Sequence, residues 1–568
     1  MRRALAPALA AAALLALVAP APAAAHAVLE SSSPARGAQL ERVPRQVVFR
    51  FGEAVEAAFG AVRVYDDRGD RVDTGTAKHP DGRSDAVGVA LRSGLGDGTY
   101  TATYRVVSAD SHPVSGGFVF TVGRAGTPAE TLDQLLQGSG TGRVTEVGFG
   151  VVRALSYLAL ALAAGGLAFA VGVWRPALAA VGGSGADWDR AQAAFARRAE
   201  RILLGAAVLG AAMTALGLVF QGAVAGGTSF WRALDPAIVG DVLDTRFGTV
   251  WGLRLLAWLA VAVLLTATRR RAAVAALLGL LCVTPALAGH ASTLDPGWLL
   301  MPANVVHVAS MAVWVGGVAM LLFALPAATR ALDPGDRSLA LATCVARFSA
   351  IALVAVGALV ASGATQAIVE LDAFSDLAGT AFGRSILIKV GLLAALIGLG
   401  AWNRQRARPR LRALAAERAT PGAVGVALRR SLRAEIGLMV VVLSVTAALV
   451  SYAPPVGATG PFSANTELGP ARLELTVDPA RAGNNQVHLY LFDRRTGRQW
   501  NRSKELTVEA FLPDREIGPL ELDAQRAGPG HYVIRRAGLA PKGDWRVDVN
   551  ARVSAFDQYT AHVEVPIR

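Results

Sequence analysis

Between residues 146 and 453 the chain repeats one pattern: a long, predominantly apolar run, then a short connection. The runs fall at 146–174, 200–224, 247–268, 272–289, 302–325, 346–369, 384–402 and 434–453, the fourth being the shortest. Each is near the ~20 residues with which a helix crosses a bilayer while pairing its own backbone polar groups. A transmembrane α bundle of eight helices is therefore expected. The placement of arginine orients it. The connections at 175–201, 269–271, 326–347 and 403–433 hold 20 Lys or Arg, whereas the alternate set at 225–246, 289–301 and 370–384 holds 3. Positive loops stay in the cytoplasm, so both soluble ends are expected outside.

The same placement disposes of nucleic acid as a partner. The net charge is +13, but the arginines cluster in membrane connections and form no binding motif, so the partner they imply is the lipid bilayer. Cys282 and Cys344 both fall in apolar runs and read as buried small residues, not a disulfide. Residues 1–25 read as a signal peptide: Arg2 and Arg3, an apolar stretch from Leu5 to Val18, then Ala23-Ala24-Ala25 as the cleavage site. A secretory leader demands the orientation the arginines give. Its removal would make His26 the first residue, offering an α-amine and an imidazole to one metal ion.

Residues 26–124 read as a small all-β domain, a Greek-key sandwich or barrel. The β-rich runs Gln46–Phe51, Ala58–Asp66, Thr99–Ser108 and Gly116–Val122 are separated by turn signals such as Asp67-Arg68-Gly69 and Gly96-Asp97-Gly98. Asp110 and His112 stand two apart, so in an extended segment both would project to one side and reach one ion. After a linker at 125–145 comes the helical domain, 146–453. A second linker, 454–465, leads to residues 466–568, where six strand-like runs beginning at Ala471, Gln486, Leu506, His531, Trp545 and Tyr559 predict an all-β sandwich. Its histidines, His488, His531 and His562, lie on separate strands and read as scattered structural residues.

Two histidines lie in or beside the apolar middle, His290 and His307. At helical spacing His307, Met311 and Trp314 share a stripe, and an imidazole with a thioether on one membrane-helix face suggests a soft-metal path. Plain packing accounts for Met311 and Trp314 equally well. Span four ends near Gly289 and span five is expected to start at Pro302, so their outer ends neighbour each other and His290 with His307 would form an outer entry site. The membrane domain also repeats itself. Thr245-Arg246-Phe247-Gly248 with Arg254 recurs as Thr380-Ala381-Phe382-Gly383 with Lys389, which implies two four-helix units in parallel orientation. Arg254 and Lys389 each sit several residues inside a span, where pairing with Asp244, Glu370 or a nearby loop is the plain reading.

The start His26-Ala27-Val28-Leu29, the segment Phe51-Gly52-Glu53-Ala54-Val55-Glu56 and the segment Asp110-Ser111-His112-Pro113 resemble the CopC family of extracytoplasmic copper-binding proteins. The resemblance implies Cu(II) held by His26, Asp110 and His112, with Glu53 a weaker participant. The domain has no methionine, so the Cu(I) site of some family members is not implied. His307 with Trp314-Val315-Gly316-Gly317, together with the Thr-x-Phe-Gly segments, resembles the CopD family of copper-resistance membrane proteins. Gly530-His531-Tyr532 and Gly543-Asp544-Trp545-Arg546 resemble the YtkA-like β-sandwich. Together these imply a multi-pass protein of the cytoplasmic (inner) membrane, copper-transporting rather than enzymatic, capturing Cu(II) outside and moving copper across. The membrane site is built from His290, His307 and Met311 with Cu(I) as a second oxidation state, and extracytoplasmic copper chaperones are candidate partners. Two alternatives share these residues: a haem-binding electron-transfer or cupric-reductase protein, using paired membrane histidines, and an extracytoplasmic oxidase with a copper brace at His26.

Overall fold

The computed structural model describes residues 29–35, 38–109, 111, 113–124, 135, 141–267, 271–371, 373–452, 462–495, 499–528 and 530–568. The chain divides into two compact units. One is helical, built on Arg143–Gln221 and Val242–Val456; the other joins Ala24–Gly142, Gly222–Asp241 and Gly457–Arg568.

Among the described residues of the helical unit, seven helices are long and apolar enough to cross a membrane, and an eighth apolar helix has 17 residues. In chain order they are α1 (Arg143–Val181), α2 (Ala186–Ala225), α3 (Arg246–Thr266), the short α4 (Arg271–Leu287), α5 (Gly297–Thr329), α6 (Pro334–Glu370), α7 (Ala381–Ala416) and α8 (Gly422–Leu449). The shortest helix occupies the place of the shortest predicted span. α5 is the most enclosed of the seven. It crosses α1 backbone against backbone, because a Cβ on Gly165 would collide with the Ala312 carbonyl and one on Gly316 with the Ala161 carbonyl. Small residues permit such an approach where lipid supplies no hydrophobic driving force. α5 begins at Gly297 behind Pro296, so Pro302 lies inside the helix and not at its first position as expected. Either proline could open a helix; the chain uses the earlier one because Gly297–Met301 continue the apolar run.

The recurring Thr-x-Phe-Gly segments are helix starts. Before α3, the Thr245 hydroxyl accepts from Gly248 N at 3.1 Å and donates to Val242 O at 2.6 Å; before α7, Thr380 accepts from Gly383 N at 2.9 Å and donates to Asp376 O at 2.7 Å. The threonine is an N-cap. The glycine is required because a Cβ there would strike the carbonyl of Val242 or Asp376, where a short preceding helix folds back. Cys282 and Cys344 are buried and unpaired.

The N-terminal sandwich holds β1 (Leu29–Ser33), β2 (Gln39–Leu40), β3 (Gln46–Phe51), β4 (Val55–Glu56), β5 (Val62–Tyr65), β6 (Asp73–Lys78), β7 (Ala86–Leu91), β8 (Gly98–Ser108) and β9 (Pro113–Val122). Its sheets run β1-β3-β7-β6 and β2-β9-β8-β4, with β5 also on β8. Phe49, Phe51, Tyr104 and Phe118 pack tilted or edge to face between them, the arrangement ring quadrupoles favour. The C-terminal sandwich holds β10 (Phe462–Leu468), β11 (Ala471–Asp478), β12 (Gly483–Asp493), β13 (Glu505–Leu512), β14 (Ile517–Leu522), β15 (Gln525–Gly528), β16 (His531–Leu539), β17 (Gly543–Arg552) and β18 (Gln558–Ile567). A five-stranded sheet, β10-β11-β12-β16-β15, faces a four-stranded one, β14-β13-β17-β18. Trp545 is fully buried between them, and its Nε1 donates to Pro541 O at 2.9 Å.

Candidate functional site

Of the predicted N-terminal ligands, His26, Asp110 and His112 lie outside the described residues. Their neighbours do not. Leu29, at the start of β1, pairs with Phe51 at the end of β3, and four residues later Val55 of β4 pairs with Ser108 at the end of β8. Residues 52–54 therefore run from β3, which lies beside β1, to β4, which lies beside the end of β8 where the β8–β9 connection begins. Glu53 stands in that short span, half-buried, with its Oε1 withdrawn from solvent. Leu29, residues 52–54 and Ser108 thus lie at one end of the sandwich. The β8–β9 connection turns at Ser111, whose φ is +74° and whose N–H donates to Ser108 O at 2.8 Å.

In the helical unit, His307 Nδ1 lies 3.2 Å from the Ser362 hydroxyl of α6. Ser362 Oγ spends its one proton on Ala358 O at 2.7 Å, so it accepts from His307 Nδ1–H. In that tautomer Nε2 carries the lone pair, as in a metal-binding imidazole fixed through its other nitrogen. Gly363 makes room for the ring: a Cβ there would lie 3.0 Å from His307 Cε1. One turn before His307, Asn304 Nδ2 donates to Gln366 Oε1 at 2.9 Å, extending a polar seam between α5 and α6.

The seam leads to charged groups. His307 is within electrostatic range of Lys389, Lys389 of Glu370, and Glu370 of His290 in the turn His290–Ser292 that follows α4. Lys389 and Glu370, which the sequence offers as possible partners, lie within electrostatic range of each other. Arg254, the counterpart of Lys389 in the repeat, instead lies buried over the Trp251 ring, 5.2 Å from the centroid. Met311 is half-buried against both helical cores, and Trp314 is buried. Among the described residues, no three His, Cys, Asp or Glu side chains converge as a metal cage.

The C-terminal histidines are not all scattered, contrary to expectation. Register pairs Tyr490 with His531 and His488 with Val533, which sets His488 diagonal to His531 on one face. His488 Nδ1 lies 3.3 Å from His531 Nε2, both residues are fully buried, and the Tyr490 ring stacks on His531 at 4.2 Å. Burial, with His488 alongside, pushes the His531 pKa well below its usual value, so this imidazole is neutral. His562 does stand apart, its Nδ1 2.7 Å from Asp548 Oδ1 on an exposed edge.

Comparison with known proteins covers most of the chain. Residues 29–123 match the CopC domain, 144–301 the copper resistance protein D-like N-terminal domain, and 342–449 copper resistance protein D. The chain is 27% identical over 555 residues to copper transport protein CutJ of Bacillus subtilis (strain 168), spanning 94% of each. Protein YobA of Escherichia coli (strain K12) is 33% identical over 98 residues, 17% of this chain and 79% of that one. Copper resistance protein D of Pseudomonas syringae pv. tomato is 26% identical over 263 residues, 44% of this chain and 83% of that one. The N-terminal sandwich and the helices whose starts carry the capping threonines are thus those of the CopC and CopD copper-resistance family, to which this chain belongs with both modules in one polypeptide.

Proposed function

We propose that the protein captures Cu(II) outside the cytoplasmic membrane on its N-terminal sandwich and moves copper across the bilayer through its helical unit. The observation that carries this is the meeting of the chain start, the Glu53 segment and the β8–β9 turn at one end of the sandwich. His26, Asp110 and His112, with Glu53 nearby, are the ligands of that reading: nitrogen and carboxylate donors suit Cu(II). His290 and His307 form the outer entry to the membrane, with Glu370 and Lys389 between them holding the seam's charge near neutral. His307 Nε2 is the first fixed donor. Met311, one turn deeper, offers sulfur should the ion arrive as Cu(I).

Both β domains on the outer side, as the arginine asymmetry predicts, is supported by the grouping of Gly222–Asp241, an outer connection in that scheme, with both sandwiches in one unit. Within that unit Arg105 of β8 donates to the carbonyls of Val224 at 2.8 Å and Ala225 at 3.2 Å.

Two alterations of the full chain test the reading in cells and in purified protein. One extra residue before the processed His26 blocks the α-amine and is expected to weaken Cu(II) binding about 100-fold or more, since even outer-shell changes cost 10–100-fold. Replacing both His290 and His307 by alanine should remove copper-dependent accumulation while leaving that Cu(II) affinity intact. An unaltered Cu(II) spectrum in the extended protein would refute the capture site; normal accumulation in the double variant, expressed at wild-type level, would refute the membrane route.

A further inference from the structure

The C-terminal sandwich has a polar face that its core does not require. Leu473, Leu475, Leu489 and Leu491 of the five-stranded sheet belong to the hydrophobic core. On the opposite face of the same strands lie Thr476, Gln486, His488, Tyr490 and His531, joined by register across β11, β12 and β16. None of the five is more than 4% exposed. Buried polar atoms normally have partners, and each one left without costs ~1–3 kcal/mol. Yet His531 Nδ1 and both amide atoms of Gln486 have none. Polar atoms kept dry and unsatisfied beside a pair of imidazoles mark a place prepared for something else.

From this geometry we infer that His488 and His531 hold one copper ion, through Nδ1 of the first and Nε2 of the second. The two nitrogens are 3.3 Å apart, a separation at which one imidazole hydrogen-bonds to the other or both reach a single ion. Two imidazole nitrogens each about 2.0–2.1 Å from one ion subtend an angle near 105–110° at that separation, close to tetrahedral. A bound ion recruits both facing lone pairs at once. The proton of each ring then sits on its outer nitrogen, Nε2 of His488 and Nδ1 of His531. The rings are held ready for this. His488 and His531 lie within 13° of parallel, and Tyr490 stacks on His531 within 5°, so little ordering remains to be done on binding. Imidazole suits several transition metals. The choice of copper among them rests on the function proposed above; the existence of the site does not.

Full-length protein in detergent, stripped of metal, tests this by counting copper bound per chain, with copper supplied as Cu(II) and in parallel with reductant as Cu(I). His531→Phe keeps a ring on Tyr490 and removes both nitrogens; it should hold one copper fewer than wild type in one of the two series, and His488→Phe the same one fewer. The extension before His26 should lose a different copper, so that the two losses add, which separates failure of this site from failure of the capture reading. Histidine-selective 15N spectra of the wild-type chain read the site without a substitution in the sandwich. The His488 and His531 imidazole signals should shift together with the matching equivalent of copper. Unchanged copper counts in both phenylalanine variants, or His488 and His531 signals that copper leaves unmoved in both series, would overturn the proposal and leave a hydrogen-bonded pair of neutral imidazoles.

Discussion

Both sandwiches bury polar side chains, but they treat them differently. In the N-terminal one, Asp73 is fully buried and fully used: it accepts from Val64 N at 2.9 Å, from Gly75 N at 2.8 Å and from Arg71 Nε at 2.9–3.0 Å. In the C-terminal one, Gln486 and His531 are equally buried and retain polar atoms without partners. A satisfied buried carboxylate fastens one turn to one strand. The unpartnered amide of Gln486 and Nδ1 of His531 fasten nothing. The N-terminal domain, by the function proposed above, keeps its ligands off the strands, at the chain start and in the β8–β9 connection. The C-terminal domain places its pair on the strands themselves, where position is set by sheet register.

The sharpest way to break this contrast is to remove each buried group. Asp73→Ala strands two backbone N–H groups, at ~1–3 kcal/mol each, so the N-terminal sandwich should lose about 3 kcal/mol, read as a lowered unfolding midpoint for that domain. Acid should do the same without a substitution. Burial alone would raise the Asp73 pKa, but the Arg71 hydrogen bond, the Val64 and Gly75 N–H groups and the Arg71 charge together bring it below its usual value. A depressed carboxylate pKa means that the unfolded chain binds the proton first. The stability Asp73 contributes is therefore fully present above about pH 3.9 and disappears as pH falls through the lower folded value. Gln486→Leu is expected to act with the opposite sign, raising the metal-free C-terminal sandwich by about 1–2 kcal/mol because an unsatisfied amide leaves the dry face. A destabilised Gln486→Leu protein would mean that the amide is structural after all and that the two domains do not differ in this way.

Much of the fold is legible in the sequence because membranes and sandwiches impose simple periods. Apolar runs near the bilayer length gave the places of the eight apolar helices, including the short α4. Runs such as Gln46–Phe51 and the strand from Ala471 reappear nearly unchanged. β7, Ala86–Leu91, gave no signal because five of its six residues are buried and a strand covered on both faces does not alternate. The Thr-x-Phe-Gly recurrence was visible as a pattern, but its cause, a capping hydroxyl with a glycine against a carbonyl, needed the helix that folds back before it. Glu370 and Lys389 were readable as neighbouring charges, and they lie within electrostatic range of each other. The link between His488 and His531 was not, for it joins residues 43 apart through the register of β12 on β16. Three histidines on three strands look alike until the strands are laid side by side.

That likeness supplies the smallest expected effect and the cleanest control. His562 sits on β18 with its side chain 62% exposed, and its Nδ1 meets Asp548 Oδ1 across β17 and β18. Arg546 Nε contacts the same Asp548 oxygen at 3.1 Å, so the carboxylate keeps a cationic partner when the imidazole is removed. Exposed pairs of this kind contribute ~0.2–1 kcal/mol and are screened by salt. His562→Ala should therefore shift the unfolding midpoint of the C-terminal sandwich by no more than the equivalent of about 0.5 kcal/mol, and by less at high salt. It should also leave the number of coppers bound per chain unchanged, in the same assay in which His488→Phe and His531→Phe each lose one. If His562→Ala also sheds a copper, burial and register are not what distinguishes the pair, and the C-terminal sandwich binds metal through its exposed edge instead.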